Sequence, residues 1–103
     1  ARKLLAELRQ GYLEHGDPHL LLVQGSQLLR RVLRHAYPHE GIEALTGREW
    51  LARLDRESGD DSYSNGVGVV LDQGPYQRQV DYDAEALLTL FSQTVTRVMK
   101  VGR

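Results

Sequence analysis

From Lys3 to Glu14 the apolar residues Leu4, Leu5, Leu8, Tyr12 and Leu13 recur at three- and four-residue spacing, which places them on one stripe of a helix ending at Gly16. Asp17-Pro18 then predicts a second start: Asp can accept from free amides as N-cap, and Pro tolerates the first helical position. The second stripe runs through Leu21, Leu22, Gly25, Leu28, Leu29, Val32, Leu33 and Ala36, and Pro38 ends it. Glycine inside that helix costs about 1 kcal/mol against alanine, so Gly25 predicts a close helix crossing.

Glu40 to Leu45 reads as a short helix. Thr46-Gly47-Arg48-Glu49 has the capping-box form, and a further helix carries Trp50, Leu51 and Leu54 inward. Ser58 to Asn65 (SGDDSYSN) is loop by composition. Gly66 to Leu71 reads as a short helix; the alternative is a strand that turns at Gln73-Gly74-Pro75 into a second strand ending near Tyr82. Asp81 or Asp83 caps the last helix, whose stripe is Leu87, Leu88, Phe91, Thr94, Val95, Val98 and Met99. The fold class expected is all-α: a compact bundle of four or five helices, with an irregular region or short hairpin between residues 58 and 82. Trp50 and Phe91 are expected inside, and Tyr76 partly so.

A chain of 103 residues fits one domain around one core. With 41% hydrophobic and 26% charged residues it has ordinary globular composition. The absence of Cys removes disulfides, thiolate metal sites and cysteine nucleophiles from consideration. A net charge of -1 provides no overall positive field to draw the chain to nucleic acid or anionic lipid. The longest apolar run, Leu20 to Val23, is far short of the roughly 20 residues that cross a bilayer. The chain opens at Ala1-Arg2-Lys3, directly into a helical pattern, so an upstream continuation is expected.

Candidate chemistry is sparse. Asp60-Asp61-Ser62-Tyr63-Ser64 carries the D-x-S-x-S string of a metal-ion-dependent adhesion site, but it follows a polar helix end instead of a buried parallel strand, and a polar loop is the better reading. An EF-hand register with Gly66 at the turn position lacks an oxygen ligand and the terminal Glu. The pairs His15/His19 and His35/His39 have metal-binding spacing, but each spans a proline that breaks helical register. Gly66-Val67-Gly68 lacks the remainder of a nucleotide loop and marks a turn or a close backbone approach. Ser26 and Ser92 lie in helical stretches with no nucleophile elbow.

Glu40 to Asp55 admits a helix-turn-helix reading, presenting Arg48, Arg53 and Arg56 to DNA, although Glu49, Asp55 and Glu57 interrupt that face. Arg30, Arg31 and Arg34 form the densest basic cluster, which is either a solvated helix face or a contact surface. Asp55, near a helix end, opposes the macrodipole and needs an arginine of the second helix or amides of the following loop.

Leu28 to Val32 (LLRRV), Tyr37-Pro38, Ile42 with Ala44-Leu45-Thr46-Gly47, Trp50-Leu51, Leu54-Asp55, Tyr63, Gly66 with Gly68, Leu71 and Pro75-Tyr76 together resemble the bacterial family called domain of unknown function 4381. The resemblance covers nearly the whole chain and rests mostly on structural residues, so it speaks for fold more than chemistry. It implies a parent with one membrane-spanning helix, a basic stretch and then this domain, with a soluble part at the cytoplasmic face of the bacterial inner membrane. It also implies gene neighbours encoding MoxR-type AAA+ ATPases and von Willebrand factor A domain proteins. It supplies no catalytic residues.

The function expected is therefore a non-enzymatic interaction or accessory module with protein partners from that ATPase system, no nucleic acid and no cofactor. Arg30, Arg31, Arg34, Tyr63, Pro75 and Tyr76 are its expected contact residues; Trp50, Asp55 and Phe91 are structural. A DNA-binding domain and a metal-dependent hydrolase are the alternatives.

Overall fold

The structure, a computed structural model, describes residues 2–101. Among them are five α-helices: α1 (Arg2–His15), α2 (Pro18–Ala36), α3 (Gly47–Ser58), α4 (Val70–Gln73) and α5 (Ala84–Val101). Three 3-10 turns, Ile42–Ala44, Val67–Val69 and Gly74–Tyr76, connect them, and no strand occurs among the described residues. The expected all-α bundle is therefore the fold, and the stretch after Gly66 is helical rather than a hairpin.

α2 and α5 pair at the centre, α1 packs on both, and α3 packs on α5. Asp17 caps α2 as its sequence predicts, its carboxylate accepting from the amides of His19 at 2.9 Å and Leu20 at 3.3 Å. The α2 stripe from Leu21 to Leu33 is buried. Gly25 permits the crossing: a Cβ there would lie 2.5 Å from Cε2 of Phe91, itself fully buried on α5. Asp83 is the residue that serves α5, accepting from the Ala86 amide at 3.1 Å. Two residues of the helical stripes depart from expectation, since Leu13 and Met99 are exposed near the ends of α1 and α5.

The α3 start differs from the capping-box expectation. Thr46 occupies the N-cap position but its side chain caps no amide. Gly47 takes a left-handed φ of 52°, so the chain enters the helix by a glycine turn instead of the regular first turn a capping box needs. At the other end Gly59, with φ 83°, closes α3 by returning its amide to the Asp55 carbonyl at 2.9 Å. Gln93 and Arg97 of α5 donate to the carbonyls of Ser58 and Glu57, fastening that end to the central pair.

Candidate functional site

The region after α3 is ordered by one carboxylate. Asp55 Oδ1 accepts from the amides of Tyr63 at 2.8 Å and Ser64 at 3.2 Å, so of the two partners expected for Asp55, the loop amides are the ones observed. Asp60 fixes the tip of the loop, accepting from the Ser62 amide at 3.0 Å and the Ser58 hydroxyl at 3.1 Å; the Ser62 bonds foremost hold its carboxyl below the usual range. The D-x-S-x-S string thus bonds to its own loop.

This anchoring sends Tyr63 inward. Its ring is fully buried, its hydroxyl lies 2.7 Å from Thr94 Oγ1, and burial raises its pKa far above the ordinary tyrosine value despite that bond. Tyr63 was expected as a contact residue; the structure gives it to the core. Gly68 makes room for it, since a Cβ there would lie 2.6 Å from the Tyr63 ring. Beyond α4, Gly74 sits against α2, where a Cβ would lie 2.6 Å from Leu22 Cδ1. The following Pro75 and Tyr76 stand on that pinned turn, and Tyr76 is 89% exposed, in contrast to the partial burial expected of it.

Between α2, the start of α3 and this turn runs an open groove of about 250 Å³. Val23, Arg30, Thr46, Trp50, Asp72 and Tyr76 contribute to its walls. Arg30 is half-buried, with its guanidinium carbon 4.3 Å from the centroid of the Trp50 ring, and it donates to the carbonyls of Ile42 at 3.0 Å and Leu45 at 2.6 Å. Burial holds its pKa below the ordinary arginine value, with the nearby Tyr76 acting in the opposite direction. Trp50 is only 3% exposed, and its indole nitrogen is the one buried side-chain polar atom without a hydrogen-bond partner among the described residues.

The basic cluster does not act as one patch. Arg31 is exposed beside a separate cleft between α1 and α2, lined by Leu4, Leu8 and Leu28 among others, and Arg34 pairs with Glu43 at 2.6 Å. A second polar network, centred on Arg53, lies between α3 and the end of α2. Arg53, 11% exposed at its side chain, bonds Glu57 at 2.8 Å and Glu40 at 2.7 Å, and its guanidinium carbon lies 4.6 Å from the centroid of the Tyr37 ring. Tyr37 in turn donates to Glu57 at 2.7 Å. Burial, then the Glu57 bond, raises the Tyr37 pKa. Burial opposes the charge of Arg53, and the two glutamates outweigh it. The i, i+4 spacing of Arg53 and Glu57 was the available signal. Arg53, which the DNA-binding alternative presents outward, is turned into this network.

Two of the four histidines have hydrogen-bond partners. His15 Nδ1 accepts from the Asp17 amide at 2.8 Å, and His19 meets the Gln77 carbonyl, while His35 and His39 are exposed. Among the described residues no group of three or more His, Cys, Asp or Glu is placed to hold a metal ion. No helix among them is long and apolar enough to cross a membrane.

Among the described residues, five helices around one core, with a pinned aromatic turn beside an open groove, define a small all-α domain with a single prominent exposed aromatic side chain. The chain belongs to the family described as domain of unknown function 4381, whose model matches residues 1–96. No curated protein matches it, and no solved structure does.

Proposed function

We propose that the domain is a non-catalytic protein-interaction module. In the parent protein it acts as an accessory or adaptor for a MoxR-type ATPase and a von Willebrand factor A protein, held at the cytoplasmic face of the inner membrane by a segment upstream. Tyr76 carries the reading. A large aromatic side chain that is 89% exposed, on a turn fixed to α2 through Gly74, presents contact area that needs little further ordering before it meets a partner. Pro75 stiffens that turn, and Val23 extends the apolar surface across the groove.

The test is affinity capture of the parent protein from native membranes. The ATPase or an A-domain protein should be recovered with it, and recovery should fall sharply for Tyr76→Ala. Capture that repeatedly returns neither protein would overturn the assignment to that system.

A further inference from the structure

Resting on the reading of this domain as an interaction module, we propose that the groove between α2 and α3 takes an acidic peptide segment of the partner. A carboxylate of that segment meets Arg30 and the start of α3, and a neighbouring apolar side chain packs on Val23, Pro75 and Tyr76.

The hydrogen-bonding inventory points that way. Arg30 spends two nitrogens on main-chain carbonyls and has no carboxylate partner among the described residues. Its half-buried charge is therefore poorly hydrated and unneutralised, which favours an arriving anion. Thr46 leaves the α3 N-terminus without a side-chain cap, and a twelve-residue helix presents a partial positive charge there. Independently of both, the groove wall contains Trp50, whose buried indole N–H lacks an acceptor. An orphaned donor of this kind costs about 1–3 kcal/mol unless something accepts from it. Arg30 and the uncapped α3 N-terminus thus leave positive charge at the groove with no carboxylate bonded to it among the described residues, and an acidic ligand is the component that supplies one.

With Glu49 in the first turn of α3 also acidic, Asp72 is the opposing charge that lines the groove itself. Its Oδ1 lies 3.7 Å from the position a Cβ of Gly47 would take, beside the α3 start. It partly offsets the helix dipole in the free protein and competes with an incoming carboxylate. Removing this charge should strengthen binding, an outcome that loss of structure cannot imitate.

The chain has a single Trp, so both its fluorescence and its indole N–H resonance report on the groove. The probes are a short peptide alternating Glu and Leu and its neutral counterpart with Gln in place of Glu. Titration of the chain with the acidic peptide should move the indole resonance, with affinity about tenfold above that of the Gln peptide. Asp72→Asn should tighten binding several-fold, Arg30→Gln should weaken it about tenfold, and Tyr76→Ala should weaken it while leaving the fold intact. Equal binding of the two peptides, weaker binding by Asp72→Asn, or no movement of the indole resonance would overturn the proposal. So would a shift that appears on concentrating the chain alone, which would assign the groove to a second copy. If membrane capture recovers the ATPase system while these peptides leave Trp50 undisturbed, the groove assignment fails and the module reading stands. If the peptides bind and capture returns neither protein, the groove assignment stands and the assignment to that ATPase system fails.

Discussion

Two arginine–aromatic stacks stand on opposite fates in this domain. Arg53 over Tyr37 is enclosed by Glu57 and Glu40, and each polar group there finds a charged or hydrogen-bonding partner. Among the described residues, Arg30 over Trp50 has carbonyls but no carboxylate, and the indole beneath the guanidinium has no acceptor. The first stack joins the end of α2 to α3 and is complete within the fold. The second lies on a groove edged by Tyr76 and has no carboxylate bonded to it among the described residues. Arginine stacked on an aromatic ring is thus no mark of function by itself; whether its counter-charges lie inside the chain is what separates a clasp from a docking site.

The contrast can be broken from its closed side first. Glu57→Ala removes the carboxylate shared by Arg53 and Tyr37, leaving a mostly buried guanidinium with Glu40 alone; the expected loss is about 3 kcal/mol by urea denaturation. An unchanged midpoint would show that the clasp is not held by charge. Arg30→Met strips the carbonyls of Ile42 and Leu45 of their donor, with an expected loss of about 2 kcal/mol. Tyr37→Phe deletes one bond to a charged acceptor and should cost about 1.5 kcal/mol near neutral pH.

The same tyrosine sharpens the comparison through pH. Its pKa is raised in the folded chain, so its stabilising contribution is present in full below the unfolded value near pH 10 and is lost as pH rises through the folded one. Tyr63 and Tyr82 are raised as well, chiefly by burial. Stability followed by circular dichroism should therefore decline above about pH 10, and Tyr37→Phe should decline less than the parent chain. The smallest effect belongs to the open side: Tyr76→Ala should change stability by no more than about 0.5 kcal/mol, since the side chain is largely in solvent. A larger loss would mean that the ring supports the fold.

The helices and the site of their crossing were legible because burial imposes periodicity: the α2 stripe, the Asp17 cap and a close crossing at Gly25 can all be read from spacing and residue type, while Phe91 as the facing residue cannot. What escaped was the direction of aromatic side chains in the aperiodic stretch. Tyr63 and Tyr76 sit in similar polar, glycine-containing sequence. Tyr63 is drawn in by two amide bonds to Asp55, a residue eight positions upstream, and by the space Gly68 leaves. Tyr76 is pushed out because its turn seats Gly74, not the tyrosine, on Leu22. The Asp55 contact was within reach of the sequence, which asks for loop amides at that carboxylate; the seat of Gly74 on Leu22, far upstream, is not encoded in local composition. The basic run misled for a related reason. Arg31 lies on a different helix face from Arg30 and Arg34, and those two, one turn apart, take different partners, so Arg31, Arg30 and Arg34 reach a cleft, a tryptophan and a glutamate respectively.

The most direct test places a photo-crosslinking residue in the protein, expressed in its native cells, at one of two exposed positions, Tyr76 beside the open stack or His39 near the closed one. Adducts to a partner protein are expected from position 76 and not from position 39. Equal yields from both, or adducts from position 39 alone, would contradict the assignment of the docking surface to the open side.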